Sequence, residues 1–217
     1  MNFEAIIFDL DGTLLHTLED LADSMNKVLT EMGFPFHPTE SYRYFIGEGT
    51  PTLVYRALPE EARTEDNIRR CLEAFLAVYR TNWNSKTRPY DGIAEMLDLV
   101  ESRGLRMAVL SNKAHAFTLR CVEYFLARWN FAFVLGQRDG LPQKPSPAGA
   151  LEISRGLNIH PSRFLYLGDS GVDMKTASAA GMYPVGALWG FRDSKELLDS
   201  GAKTLIEHPL EIGSLLA

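Results

Sequence analysis

The feature that most constrains the fold is the regular alternation of helix and strand after Tyr90. Hydrophobic spacing predicts short apolar strands separated by helices throughout this part of the chain. The predicted strands cover residues 106–110, 131–135, 164–167, 183–187 and 204–206, and the predicted helices cover residues 92–103, 115–126, 148–157, 172–180 and 194–200. Strands joined by helices in this way form a parallel sheet with helices on both faces. Residues 5–8 are apolar at every position and belong to the same sheet, because such strands are buried on both faces.

An all-helical segment interrupts this pattern between the first strand and Tyr90. Its clearest helix is predicted over residues 18–32, with Thr17 and Asp20 capping its start. Further helices are predicted over residues 39–45, 50–58 and 64–83, and no strand is predicted between residues 33 and 88. We therefore predict a doubly wound α/β core of residues 1–14 and 89–217, with an inserted all-helical cap domain of residues 15–88. A segment inserted after the first strand lies at the carboxyl edge of the sheet, where open α/β sheets bind ligands.

The composition narrows the classes of function. The 217 residues carry a formal net charge of −6, which argues against broad nucleic-acid binding, because that requires a basic surface. No stretch approaches the roughly 20 apolar residues that a membrane-spanning helix needs, and the first residues lack a signal-peptide pattern. We therefore expect a cytoplasmic protein, monomeric or homodimeric, without nucleic-acid or membrane partners.

Polar residues that suit phosphate chemistry follow the predicted strands. Asp9 and Asp11 come directly after the first strand, and Ser111 follows the second. Asp169 follows the fourth strand, and Lys144 lies on an intervening loop. Carboxylates that meet at the carboxyl edge of a sheet form an oxygen-rich pocket that suits Mg²⁺ and a substrate phosphate. A hydroxyl and an ammonium group can bind phosphate, and a carboxylate can act as a nucleophile that becomes phosphorylated.

Each of these motifs has a purely structural explanation when it stands alone. Asp11 and Gly12 form an ordinary turn pair, and a lone lysine on a loop is usually a solvated surface residue. Ser111 and Asn112 can cap the helix that follows them. Asp173 can simply place a negative charge in the first turn of its helix. The functional interpretation is favoured because these residues occur together, at the strand ends or on the adjoining loop of one predicted sheet.

These motifs resemble those of the haloacid dehalogenase-like phosphatase superfamily. The most specific is the Asp-Leu-Asp-Gly-Thr sequence at residues 9–13, after an apolar strand. The serine at position 111, the Lys-Pro pair at residues 144–145 and the Gly-Asp-Ser-Gly-Val-Asp sequence at residues 168–173 follow in the superfamily's order. The resemblance extends over essentially the whole chain and includes a helical cap between the first two motifs.

The resemblance implies a role for each matching acidic residue. Asp9 would be the nucleophile and a metal ligand. Asp11 would be the general acid and base, and would bind Mg²⁺ through its carbonyl oxygen. Asp169 would complete the metal site, and Asp173 would either hold metal-bound water or position Lys144.

The same resemblance assigns the phosphate-binding groups. They would be Ser111, Asn112 and Lys144, together with backbone N–H groups of the turn at Gly12. Lys113 is a weaker candidate, and a solvated position beside the site explains it equally well. The implied reaction is Mg²⁺-dependent hydrolysis of a phosphate monoester through an aspartyl-phosphate intermediate.

Within the superfamily, the chain most resembles phosphoglycolate phosphatases, through the Phe-Ile-Gly-Glu-Gly run at residues 45–49 and the Leu-Trp-Gly run at residues 188–190. The turn formed by Gly47, Glu48 and Gly49 can bring backbone N–H groups close to a substrate carboxylate. Arg56 can supply a positive charge, although an ordinary surface arginine explains it equally well. The preferred substrate is 2-phosphoglycolate or another small, acidic phosphorylated metabolite.

Other activities on the same scaffold stay open at this point. A pyrophosphatase, a sugar-phosphate phosphatase or a β-phosphoglucomutase-like enzyme would share the core motifs, and a non-catalytic binding protein would share the fold. His16 is a departure from the family, which usually has aspartate there, in the segment that joins core to cap. This departure concerns the hinge and not the chemistry.

Overall fold

The computed structural model describes residues 2–216. The strands are β1 (Ala5–Phe8), β2 (Leu15–His16), β3 (Arg88–Pro89), β4 (Arg106–Ala114), β5 (Phe131–Gln137), β6 (Phe164–Gly168), β7 (Tyr183–Ala187) and β8 (Thr204–Ile206). The α-helices are α1 (Leu18–Glu31), α2 (Tyr42–Phe45), α3 (Thr50–Ala57), α4 (Glu65–Asn82), α5 (Ile93–Ser102), α6 (His115–Phe125), α7 (Ala148–Leu157), α8 (Gly171–Ala180) and α9 (Ser194–Asp199). Short 3₁₀ helices cover Thr39–Ser41, Glu60–Ala62, Pro161–Arg163 and Pro209–Leu215.

The predicted parallel sheet is confirmed. Its six strands lie in the order β5-β4-β1-β6-β7-β8, and each neighbouring pair is parallel. Alternate side chains of β1 enter two different hydrophobic clusters, because Ile6 and Phe8 pack on one face of the sheet while Ala5 and Ile7 pack on the other. Burial on both faces explains why this strand is apolar at every position.

The position of β1 determines where a ligand site can form. The strand lies between β4 and β6, and the strand order runs from β1 towards β5 on one side and towards β8 on the other. Such a change of direction leaves a crevice beyond the carboxyl ends of the central strands. Phe8 is paired with Val109 of β4 and with Leu167 of β6, so the residues that follow these positions lie side by side.

The helices α1 to α4 lie between β1 and the return of the chain to the sheet, and α1 packs against α4. The short strands β2 and β3 pair antiparallel where the chain leaves and re-enters the core. Strand β2 lies at the start of the segment predicted as helical and was not predicted, because two residues are too few to give a period-two pattern. The exact division into core and cap stays a prediction.

The predicted cap of α1 was also wrong. Thr17 makes no capping hydrogen bond, and its hydroxyl oxygen is buried without a partner. Asp20 instead accepts hydrogen bonds from the backbone N–H groups of Lys86 (2.9 Å) and Thr87 (2.8 Å). Because these residues directly precede β3, the carboxylate ties the returning chain to the start of α1.

Strand β4 is longer than predicted and continues to Ala114. Its pairing with β5 shifts in register between Leu110 and Ala114, so Ser111, Asn112 and Lys113 lie in an irregular part of the strand. The strand was predicted to end at Leu110 because the residues that follow it, Ser111, Asn112 and Lys113, are polar. Among the residues that the structure describes, none of the helices combines the length and apolar composition that a membrane crossing requires.

Candidate active site

Asp9 lies at the centre of the carboxyl edge of the sheet and is buried. One carboxylate oxygen accepts the N–H of Leu10 at 2.7 Å and lies 2.9 Å from the ammonium group of Lys144. Burial raises the pKa of Asp9 well above its ordinary value, and repulsion from Asp173 adds to this effect while Lys144 opposes it. The negative charge of Asp9 is therefore unfavourable in the protein alone, and a cation bound beside it would stabilise it.

Asp169 follows β6 and faces the same crevice. Its two carboxylate oxygens accept hydrogen bonds from the hydroxyl of Thr13 (3.0 Å) and from the backbone N–H of Phe191 (2.7 Å). Burial, followed by repulsion from Asp173, raises the pKa of Asp169 to about 7. Without a cation, this carboxyl group therefore holds a proton over much of the acidic range.

The residues present fit a hard divalent cation. Asp9, Asp169 and Asp173 are all buried, and each offers an oxygen atom within 4.8 Å of those of the other two. An all-oxygen donor set with substrate phosphate nearby is typical of Mg²⁺ sites in phosphoryl-transfer enzymes. The raised pKa values of Asp9 and Asp169 have the same origin, which is negative charge crowded into a buried pocket.

Lys144 and Asp173 form a buried pair beside Asp9. The ammonium group of Lys144 lies 2.6 Å from one oxygen of Asp173, and the other oxygen accepts the hydroxyl (2.6 Å) and the N–H (3.2 Å) of Ser170. Burial alone would lower the pKa of Lys144, but attraction to Asp173 and Asp9 raises it well above its ordinary value. Of the two roles considered for Asp173, these contacts favour the positioning of Lys144.

Gly12 is required by its neighbour Asp169. The glycine has φ of 89°, and a Cβ atom there would overlap the Asp169 carboxylate. Its N–H donates to the carbonyl oxygen of Leu15 at 2.9 Å, so a phosphate contact from this N–H would require that bond to break. The observed contribution of Gly12 is to let the turn after β1 approach the Asp169 carboxylate closely.

Ser111 and Asn112 lie in the same part of the site as Asp9 but differ in what they can offer. Both side chains are buried, and the Ser111 hydroxyl accepts the N–H of Lys113 at 3.2 Å, which leaves its own proton to donate. Asn112 donates to the carbonyl oxygens of Gly47 and Lys144, both at 3.0 Å, and accepts the N–H of Lys144 at 2.8 Å. Asn112 therefore holds the Lys144 loop in place, and its role as a phosphate ligand stays a prediction.

Lys113 is more deeply embedded in the site than its sequence context indicated. Only 8% of the residue is exposed, which excludes the solvated alternative. Its ammonium group lies 3.1 and 3.2 Å from the two carboxylate oxygens of Asp11 and 2.8 Å from the hydroxyl of Tyr79 on α4. Lys113 thus joins the residue assigned as general acid and base to the helical segment above the sheet.

A cavity lies between the helices α1 to α4 and the carboxyl edge of the sheet. Asp9, Asp11 and Ser111 lie on its core side, and Gly47 and Gly49 lie on the opposite side. Glu48 and Arg56 are not among its lining residues. They form an ion pair with each other, and Arg56 also donates to the carbonyl oxygen of Tyr44 at 3.0 Å. The proposed contact between Arg56 and substrate stays a prediction.

Arg192 was not singled out from the sequence, yet it links the helical segment to the core. Its guanidinium donates to the carbonyl oxygens of Arg43 and Ile46, the latter at 3.0 Å. In the opposite direction, Arg43 donates to the carbonyl oxygen of Gly190 at 3.0 Å. The Leu-Trp-Gly run at residues 188–190 is the only sequence signal nearby. The arginine two positions after it has no distinguishing pattern of its own.

The geometry agrees with comparisons to known proteins. Residues 6–187 match the family model described as haloacid dehalogenase-like hydrolase. A phosphoglycolate phosphatase from Psychrobacter arcticus is 31% identical over 204 residues, which cover 91% of this chain and 88% of that protein. One from Mesorhizobium japonicum is 34% identical over 195 residues, covering 89% and 86% of the two chains.

A solved structure also shares the fold. The crystal structure of a predicted phosphoglycolate phosphatase from Haemophilus somnus superimposes with a TM-score of 0.93 at 27% identity, covering 100% of this chain and 99% of that one. The family match over residues 6–187 contains both Asp9 and Asp169. The chain belongs to the haloacid dehalogenase-like hydrolase family.

Proposed function

We propose that this enzyme is an Mg²⁺-dependent phosphatase that hydrolyses a small phosphate monoester through a phosphorylated Asp9. The observation that carries this proposal is the buried cluster of Asp9, Asp169 and Asp173 with Lys144 bound between Asp9 and Asp173. The names of the relatives favour 2-phosphoglycolate as the substrate.

The first half of the reaction transfers the phosphoryl group to the enzyme. An oxygen of Asp9 attacks phosphorus, the bond to the ester oxygen breaks, and Asp11 gives a proton to the departing oxygen. Lys144 and the hydroxyl of Ser111 bind the phosphoryl oxygens. Mg²⁺, held by Asp9, Asp169 and the carbonyl oxygen of Asp11, would neutralise charge on the phosphoryl group.

The second half releases phosphate. Asp11, now deprotonated, accepts a proton from a water molecule, whose oxygen attacks the phosphorus of the aspartyl-phosphate. The bond between phosphorus and the Asp9 oxygen breaks, which returns the carboxylate to its starting state. The apolar cap residues above Asp9 exclude other water and limit the size of the leaving group.

Three rival activities are disfavoured by the cavity. Its walls opposite Asp9 are mainly apolar, whereas a sugar-phosphate phosphatase or a β-phosphoglucomutase-like enzyme needs polar groups that match several hydroxyls. A pyrophosphatase must hold a second phosphate, which requires more cations than this cavity presents in the described residues. A non-catalytic binding protein would not need Asp9 and Asp11 together with the buried pair of Lys144 and Asp173.

A screen of phosphorylated metabolites for phosphate release tests the proposal. We expect 2-phosphoglycolate to be hydrolysed best, a chelator to abolish turnover, and Mg²⁺ to restore it. Calcium should substitute poorly, because it prefers more ligands and a looser geometry. Full activity after exhaustive chelation would contradict the metal-dependent mechanism. A preference for hexose phosphates or pyrophosphate would contradict only the substrate assignment. The cytoplasmic location and the monomeric or homodimeric state stay predictions.

A further inference from the structure

The cavity contains one basic side chain on the side where the leaving group must lie. Among its lining residues in the described chain, Lys113 is the only lysine or arginine. Apart from Thr50 and Tyr79, the cap side of the cavity is lined by apolar residues and glycine, among them Leu21, Ile46, Leu53, Phe75 and Leu76. A leaving group that fits this environment is small and has one anionic group close to Lys113.

The contacts of Lys113 fix its ammonium group in place. It lies 3.1 and 3.2 Å from the two carboxylate oxygens of Asp11. The Tyr79 hydroxyl lies 2.8 Å away, and the ammonium group also lies 4.8 Å from the centre of the Tyr79 ring. Tyr79 itself stacks against Phe75, so α4 holds the lysine from the cap side.

The distance from Asp11 places Lys113 at the right depth for a substrate carboxylate. Asp11 must reach the departing ester oxygen to protonate it, and the ammonium group of Lys113 lies 3.1 Å from one oxygen of the Asp11 carboxylate. In phosphoglycolate, a single methylene group separates the ester oxygen from the carboxylate. The carboxylate therefore has to lie close to Asp11, and it needs a cation there because two anions would otherwise repel each other.

Arg56 is less well placed for this task. Its guanidinium is already paired with Glu48, and neither residue lines the cavity. Lys113 also has a partner, but that partner is Asp11, which is in the cavity and changes its protonation state during the reaction. An incoming carboxylate can therefore share the ammonium group with Asp11 without a rearrangement of the backbone.

We propose that Lys113 is the specificity residue that binds an anionic group, most simply a carboxylate, on the leaving group of the substrate. Tyr79 is then a positioning residue that orients the ammonium group. This inference rests on the proposed phosphatase activity, and it deepens that activity by naming the substrate class and the residue that selects it.

A pair of phosphonates isolates the carboxylate from the phosphoryl group. Phosphonopropionate is phosphoglycolate with the ester oxygen replaced by a methylene group, and propylphosphonate lacks only the carboxylate. We would measure the inhibition of para-nitrophenyl phosphate hydrolysis by each compound, with Mg²⁺ present. The native enzyme should bind phosphonopropionate at least about tenfold more tightly, as expected for a charged hydrogen bond.

Lys113→Met retains the length of the side chain and removes its charge. In this variant the preference for phosphonopropionate should fall by about tenfold or more, whereas Arg56→Met should retain it. Tyr79→Phe retains the ring and should lower the preference several-fold, because it should weaken inhibition by phosphonopropionate more than inhibition by propylphosphonate. If Lys113→Met is too slow to assay, calorimetric titration with the two phosphonates supplies the comparison. If it does not fold, Tyr79→Phe supplies it.

An unchanged preference in Lys113→Met, or no preference in the native enzyme, would overturn the assignment of Lys113. A loss of the preference in Arg56→Met instead would transfer the role to Arg56. These outcomes can be told apart from a failure of the proposed function. A native enzyme that prefers phosphonopropionate but hydrolyses 2-phosphoglycolate poorly would refute only the named substrate.

Discussion

Asp169→Asn should stabilise the metal-free protein even though it disables the metal site. The pKa of Asp169 rises from 3.8 to about 7 on folding, mainly through burial and then through repulsion from Asp173. Between roughly pH 4 and pH 7 the native state therefore binds a proton that the unfolded state has released, so stability falls as pH rises through this window. Above about pH 7 Asp169 is ionised in both states, so the full cost of burying its charge lowers the stability of the native state. A pKa shift of this size corresponds to about 4 kcal/mol.

The asparagine can keep both hydrogen bonds that the carboxylate makes. Its oxygen can still accept the N–H of Phe191, and its amide can donate to the hydroxyl of Thr13, which now donates to Asp169 at 3.0 Å. Both bonds favour the charged carboxylate, so the pKa of about 7 already reflects them. We therefore expect a stabilisation of about 4 kcal/mol near pH 8, and less than half of that near pH 5.

Urea denaturation with a chelator, at these two pH values, measures the effect. Asp199→Asn is a matched control, because Asp199 is exposed and paired only with Lys195, and its substitution should change stability by less than about 0.5 kcal/mol. Addition of Mg²⁺ should stabilise the native enzyme and leave Asp169→Asn nearly unaffected. If Asp169→Asn is less stable than the native protein near pH 8, or differs equally at both pH values, the argument from crowded negative charge fails.

Three further substitutions test the catalytic assignments and the contact between cap and core. Asp9→Asn should reduce phosphate release to background without loss of thermal stability, and substantial residual turnover would mean that the nucleophile lies elsewhere. Asp11→Asn should lower kcat about 10²- to 10⁴-fold with little change in KM, and the loss should be smaller for an aryl phosphate, so an equal loss would point to folding or metal binding. Arg192→Ala removes the hydrogen bonds to Arg43 and Ile46, so kcat/KM should fall several-fold for charged and uncharged leaving groups alike. A selective loss with 2-phosphoglycolate would instead place Arg192 at the substrate.

The core of the fold was predictable because its signals are local. Strand β1 is apolar at every position, since both of its faces are buried, and the strands after Tyr90 are separated by helices of ordinary length. The errors occurred where a long-range contact decides the structure. Asp20 looks like part of a helix cap, but it bonds the N–H groups of Lys86 and Thr87, which are distant in sequence.

The acidic part of the candidate site was predictable for a related reason. Parallel strands bring their carboxyl ends to one edge, so Asp9 and Asp169 must come together wherever β1 and β6 are neighbours. The partners of Lys113 could not be inferred in this way. Tyr79 reaches it from α4, and nothing in the sequence around either residue fixes the distance between that helix and the sheet.

The loop after β7 contacts both the candidate metal site and the cap segment. Phe191 donates its N–H to Asp169, and the next residue, Arg192, donates to the backbone at Arg43 and Ile46. Gly190 lies so close to Asp169 that a Cβ atom there would overlap it, so the loop packs directly against this carboxylate. A cation bound by Asp9 and Asp169 would therefore lie beside the loop that holds the cap. The same short stretch of chain positions a carboxylate of the candidate metal site and the backbone at Arg43 and Ile46, although these groups are far apart in the sequence.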